Sequence, residues 1–206
     1  MKVLTSFSFG DQTDLLSISI PTFRQYALTH NYHMYIPPKP DFDRPWSWFK
    51  VPLIISLLES YETVLWIDAD VVIVDHTKDI LDDCSNAPFN LVVHESREGK
   101  VPNLGVFVAR RSAVPILKEM WKLDKFNRSN GWWEQAAFIS VAGGNPDITP
   151  TETPPGEMWS SLPYEWNPHK NDHRRIPDNR RFFHATMFDD RAKEMRIAVN
   201  HQVLAH

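Results

Sequence analysis

Thr63-Val64-Leu65-Trp66-Ile67-Asp68-Ala69-Asp70-Val71-Val72-Ile73-Val74 is the stretch on which the fold of this chain turns. Five β-branched or apolar residues run without a break into two carboxylates, the pattern of a strand covered on both faces, as in a parallel sheet. Extended, Asp68 and Asp70 project to one face, about 7 Å apart along the chain. Two acids at the end of an apolar strand are unfavourable unless a cation meets them. A hard divalent ion with oxygen ligands, Mn²⁺ or Mg²⁺, is the natural partner and keeps positions open for phosphate oxygens. In open α/β sheets ligands gather outside the carboxyl ends of strands, where this pair lies.

Working outward, Lys2 to Phe9 reads as a first strand, and an amphipathic helix follows from Leu15 to His30, with Pro21 expected to kink or split it. His33 to Ile36 reads as a short strand and Trp48 to Tyr61 as a helix with Phe49, Leu53, Ile54, Leu57 and Leu58 as its apolar stripe. Phe89 to His94 and Leu104 to Ala109 read as strands, Ala113 to Lys125 and Trp132 to Val141 as helices. Residues 143–180 are rich in Pro, Asn and Thr and read as an irregular region with one or two short strands. Arg181 to His184 reads as a last strand and Asp189 to Leu204 as a closing helix. Strands and helices alternate, so the expected fold is an α/β domain with a central, mostly parallel sheet flanked by helices.

With 206 residues, one domain spanning 1–206 is expected. The formal net charge of -4 gives no general attraction to nucleic acid or anionic membranes. A polyanionic ligand would therefore need a local cation. Cys84 is the sole cysteine and cannot form an internal disulfide. No run long enough for a membrane span is present, and with no leader evident the expected location is cytoplasmic. The chain has 8 Trp, which serve as core, as interface, or as platforms for sugar rings.

The run Val64 to Asp70, preceded by a helix carrying Phe49-Lys50, resembles the Asp-x-Asp region of GT-A glycosyltransferases. It is most similar to the galactosyl, xylosyl and mannosyl transferases of the GMA12/MNN10 group, and more distantly to the glycogenin-like family 8. The resemblance implies a Rossmann-like GT-A domain in which Asp68 contacts the nucleotide and Asp70 ligates the metal. Asn103-Leu104-Gly105 resembles the strand that lines the donor sugar, where the Asn amide bonds a hydroxyl and Gly permits close backbone approach. Gly131-Trp132-Trp133-Glu134-Gln135 is similar to the acidic-Gln pair that opens a helix in these enzymes; Glu134 also reads as a stabilising first-turn acid. His184 matches the late histidine that completes the metal site. Imidazole favours Mn²⁺ over Mg²⁺. Thr5 is a nucleotide contact by position, and Lys50 is placed to approach the phosphates.

The implied reaction moves a glycosyl group from a nucleoside diphosphate, UDP-sugar favoured and GDP-mannose the alternative, to the hydroxyl of a carbohydrate or other acceptor. Glu134 and Gln135 would face the anomeric carbon. The related enzymes retain configuration, so retention is expected; Glu134 acting as a base on the acceptor would instead give inversion. The aromatic segment from Thr151 to Trp166 reads either as an acceptor wall or as a loop pinned to the sheet by Trp159, Tyr164 and Trp166. Two rival readings are a Mg²⁺-dependent phosphatase of the haloacid dehalogenase type and a non-catalytic carbohydrate binder on a transferase fold. The first places Asp-x-Asp after the first strand, and the second needs no metal-diphosphate apparatus.

Overall fold

The computed structural model describes residues 1–128, 132–148, 151–153 and 156–203. Gly131, Pro154, Pro155 and Leu204, each part of a segment read above, lie outside the described residues. Nine strands are described: β1 (Lys2–Thr5), β2 (His33–Tyr35), β3 (Thr63–Ile67), β4 (Val71–Ile73), β5 (Phe89–Ser96), β6 (Gly99–Arg110), β7 (Thr151–Glu152), β8 (Trp159–Ser161) and β9 (Phe182–His184). Five α-helices accompany them: α1 (Thr13–Thr29), α2 (Lys50–Ser60), α3 (Val114–Lys122), α4 (Trp133–Val141) and α5 (Arg191–Val203).

The main sheet has the order β2-β1-β3-β6-β5-β8, with β7 beside β6. Strand β1 runs parallel to β2 and β3, and β5 parallel to β8, so the sheet is mostly parallel. Strand β6 runs against both β3 and β5. The central strand β3 is thus fully buried but has a parallel neighbour on one side only. The cause is the hairpin β5–β6, whose tight turn at Arg97-Glu98 forces an antiparallel return that lies beside β3. Strands β5 and β6 extend beyond 89–94 and 104–109 because their polar ends, Glu95, Ser96 and Lys100, still pair across the ladder. Gly99 closes this turn at φ +112, and a Cβ there would lie 1.9 Å from the Thr151 carbonyl oxygen.

Side-chain alternation divides the interior between the two faces. Val3, Val64, Trp66 and Phe107 pack against Ile54 and Leu58 of α2, Leu117 of α3 and Phe138 of α4. Leu4, Leu65, Ile67 and Val108 face Phe23 and Tyr26 of α1, together with Trp166 and Phe182. Each large apolar side chain so buried stabilises the fold by about 1.5–3 kcal/mol relative to exposure. Helix α1 runs through Pro21 without a break. That proline is exposed, so the amide it lacks is missing from the water-facing side of the helix.

After Ile67 the chain leaves the main sheet. Asp68 to Asp70 form a turn in which the Val71 N–H donates to the Asp68 carbonyl at 3.2 Å, rather than an extended continuation of β3. The turn delivers β4 to a second, two-stranded sheet with β9, in which Val71 lies opposite His184. Register alone therefore places a histidine from the far end of the chain beside Asp70. Helix α5 covers this sheet with Met195 and Ala198 against Leu15, Val72 and Phe183. No helix among the described residues is long and apolar enough to cross a membrane.

Candidate active site

A cleft of about 570 Å³ opens where β3 ends and α4 and α5 begin. Lys50, Asp68, Asp70, Asn103, Gly105, Glu134, Gln135 and His184 all line it. Thr5 stands apart: it is fully buried, outside the cleft wall, and its hydroxyl donates to the Tyr35 carbonyl at 2.8 Å.

The floor is the Asp68-Ala69-Asp70 turn. One ligand atom each from Asp68, Asp70 and His184 lie within 4.8 Å of one another. The turn brings the two carboxylates closer than the roughly 7 Å of an extended strand. Asp68 offers one oxygen to the Trp66 indole N–H at 2.7 Å and to the Lys50 ammonium at 3.1 Å. Asp70 is buried, with one oxygen 3.3 Å from His184 Nε2 and the other 3.2 Å from Arg191 Nη1. Burial acts to raise its pKa, but His184 and Arg191 outweigh that and hold the carboxyl at about 2.

The orientation of the His184 ring follows from its neighbours. The Gly105 N–H, an unambiguous donor, meets Asn103 Oδ1 at 2.7 Å. Asn167 must therefore present its Nδ2 to the same oxygen, at 2.8 Å, and its Oδ1 to His184 Nδ1, also at 2.8 Å. The ring therefore donates from Nδ1 to Asn167 and turns Nε2 toward Asp70. A second partner that fixes the ring in this way is typical of metal-ligating histidines. The donor set of two carboxylates and one imidazole suits Mn²⁺ or Mg²⁺, with the nitrogen favouring Mn²⁺. Gly105 makes room for this ring: a Cβ there would lie 2.6 Å from His184 Cε1 and 2.8 Å from Asn103 Oδ1.

Asn167 and Arg191 are absent from the site as read from sequence. Asn167 comes from the irregular region and Arg191 from the first turn of α5, where neither periodicity nor spacing marks them. Asn167→Leu, which keeps the branching and the number of side-chain heavy atoms, removes the bond that aims Nε2. It is expected to weaken Mn²⁺ binding about 10–100-fold, measured by calorimetry, while the melting curve stays cooperative.

Lys50 does not reach freely toward a ligand. Its ammonium contacts Asp68 at 3.1 Å, Glu134 at 2.9 Å and the Leu104 carbonyl at 3.0 Å. Burial alone would lower its pKa; the two carboxylates reverse that and raise it. It lies 5.1 Å from the Trp66 ring centre. Glu134 is buried in the first turn of α4 as the other half of this clamp. Gln135 accepts the Leu104 N–H on Oε1 at 3.1 Å, which leaves its amide NH₂ as the group to meet a ligand.

Phe9 stacks on Trp46 with ring centres 5.4 Å apart, and Phe7 lies 5.8 Å from Trp46; all three line the cleft. Ser47, also in the wall, has a buried Oγ without a hydrogen-bond partner among the described residues. Trp132 and Trp133 border the cleft at the start of α4, with Trp133 held at φ +33. Trp159, Tyr164 and Trp166 do not line it. Trp166 is fully buried and its indole N–H donates to Asp83 at 2.8 Å, so this loop is pinned to the sheet.

Beneath the cleft, His94 is buried and donates from Nε2 to the Asn167 carbonyl at 2.7 Å. Burial, reinforced by His169, pushes its pKa down to about 3. The unfolded value is about 6.5. Between these pH values the unfolded chain binds a proton that the folded chain refuses, so stability falls as the pH falls. His94 alone should remove about 2 kcal/mol between pH 6.5 and 5. His94→Gln, which keeps a donor for Asn167, should flatten that slope in urea titrations at the two pH values.

No protein-family model matches the sequence, and no curated protein matches it. Solved structures do match in shape. A glycosyltransferase involved in glycosylation of the major capsid of PBCV-1 has a TM-score of 0.72 at 19% identity, covering 95% of this chain and 98% of that one. The galactosyltransferase LgtC, solved with donor and acceptor sugar analogues, has a TM-score of 0.58 at 8% identity, covering 98% and 96%. The glycosyltransferase GlyE of Streptococcus pneumoniae TIGR4 has a TM-score of 0.50 at 13% identity, covering 81% of this chain and 46% of that one. At these identities the likeness establishes architecture, and the architecture is the mixed α/β GT-A fold.

Proposed function

We propose that this chain is a metal-dependent glycosyltransferase, acting as one domain, that transfers a sugar from a nucleoside diphosphate to an acceptor hydroxyl. The observation that carries the reading is the convergence of Asp68, Asp70 and His184 at the carboxyl end of β3, on the floor of a cleft also walled by Glu134 and Gln135. The likeness in shape to solved glycosyltransferases, one of them bound to donor and acceptor sugar analogues, supports it. UDP-sugars are the favoured donors, GDP-mannose the alternative, and retention the expected outcome. The phosphatase alternative expects Asp-x-Asp after the first strand; here it follows β3.

Asp68, Asp70 and His184 would hold Mn²⁺ or Mg²⁺, which when bound supplies positive charge for the departing diphosphate. Asp68 keeps one oxygen on Lys50 and Trp66, which leaves its other oxygen for the ligand. Glu134, with one oxygen on Lys50, places carboxylate charge where the glycosyl fragment becomes oxocarbenium-like. Gln135 orients a sugar oxygen through its free NH₂, and Asn103 stands beside it on β6. Lys50 fixes Asp68 and Glu134 relative to one another and so aligns the donor side of the cleft with the glycosyl side. From the irregular region, His169 contributes to the cleft wall and marks the acceptor side.

The test is a thermal-shift panel of UDP, GDP and CDP with and without Mn²⁺, followed by detection of nucleotide release from the corresponding sugars. Stabilisation that needs both the metal and one nucleotide is expected. No shift with any nucleoside diphosphate at millimolar concentration would overturn the reading.

A further inference from the structure

Arg191 is a cation in an unusual place. It is the first residue of α5, where the helix dipole favours acids rather than bases. Its guanidinium lines the cleft and reaches Asp70 Oδ2 at 3.2 Å, its one ion pair among the described residues. Asp70 has a side chain 9% exposed, whereas that of Arg191 is 30% exposed and has room to move. The other cleft cation, Lys50, is fixed by three acceptors that match its three protons.

With Oδ1 facing His184 and Oδ2 facing Arg191, Asp70 has no free oxygen for a further cation. A divalent ion that takes Asp70 must displace the guanidinium or sit beside a like charge. A diphosphate offers the guanidinium a better partner, because its planar fork matches phosphate oxygens. The cleft also carries three carboxylates, Asp68, Asp70 and Glu134, against the two cations Lys50 and Arg191. A diphosphate arriving without a divalent ion therefore meets net negative charge.

We propose that Arg191 is a placeholder: it occupies Asp70 in the nucleotide-free protein and transfers to the diphosphate when metal and nucleotide enter together. This rests on the transferase reading. The consequence is strong mutual dependence of metal and nucleotide binding, set by one side chain. By linkage the enhancement is the same in both directions.

The experiment is calorimetric titration of Mn²⁺ into the full chain, alone and with saturating UDP or GDP, for wild type, Arg191→Met and Lys193→Met. Wild type should bind Mn²⁺ weakly alone and about 10–100-fold more tightly with nucleotide. Arg191→Met should bind Mn²⁺ alone about tenfold more tightly than wild type, with the nucleotide enhancement reduced at least as much. Lys193→Met, which removes an exposed charge from the same turn, should match wild type. Unchanged or weaker nucleotide-free binding in Arg191→Met, while wild type still binds Mn²⁺ and nucleotide together, overturns the placeholder and leaves the transferase reading standing. Equal tightening in Lys193→Met assigns the effect to net charge and also overturns it. Absence of nucleotide binding by wild type in the presence of Mn²⁺ removes both.

Discussion

Asp70→Asn is expected to abolish Mn²⁺-dependent nucleotide binding and to lower turnover on the order of 10³-fold, in the range seen when a group that stabilises transition-state charge is removed. The substitution keeps the side chain's shape and removes its charge. Asp70 is the buried carboxylate of the Asp68–Asp70–His184 set and the one that faces His184 Nε2. An amide in its place presents a neutral oxygen or an N–H to that nitrogen, and either leaves the corner short of charge. The fold should survive within about 2 kcal/mol, because Arg191 is partly exposed and regains water. Calorimetry with Mn²⁺ and UDP or GDP, beside a thermal melt, separates the two effects. Wild-type binding with an intact melt would mean that the corner does not hold the metal.

Lys50→Met should be the most destabilising single change in the cleft, at about 3–5 kcal/mol, because it strands the carboxylates that the ammonium now joins. The side chains of Lys50 and Glu134 are each 7% exposed, so Glu134 cannot recover its solvation without opening the start of α4. The double variant Lys50→Met/Glu134→Leu removes both buried charges and should recover a large part of the loss, since an apolar pair of similar volume is often no worse than a buried ion pair. Urea titrations of the single and double variants measure the coupling. A loss below about 1 kcal/mol in Lys50→Met would show that water already reaches this clamp. The same clamp refines the expectation that Lys50 approaches phosphate: three protein acceptors hold its ammonium, and it acts by fixing the acids around it.

The uninterrupted run Thr63 to Ile67 made the central strand legible, and the break in hydrophobicity at Asp68 located the end of the sheet at which the cleft forms. The direction of β6 was not legible. Pro102 and Asn103 interrupt its apolar pattern, so the strand expected from sequence starts only at Leu104, and a hairpin turn at Arg97-Glu98 carries no Asn-Gly signal. The turn at Asp68 was hidden because Val71 to Val74 is as β-prone as the strand before it; only the pairing of β4 with β9 shows that the chain has changed sheets. His184 was reached through family resemblance, since a histidine next to two phenylalanines has no period to mark it. Asn167 and Arg191 had no comparable signal. One gains its place from a loop without repeat, the other from the tertiary docking of α5 against α1.

The small ladder between β4 and β9 also bears on how the protein is made. Arg191 lies 121 residues beyond Asp70, and His184 only slightly less far, yet all strands of the main sheet precede residue 162. A chain emerging from the ribosome can therefore lay down its whole sheet while the two aspartates still lack both later partners. Through that interval the nascent chain carries two neighbouring negative charges and no means of gripping a cation firmly. The Asp68–Asp70–His184 corner is complete only once residues 182–184 have paired with β4.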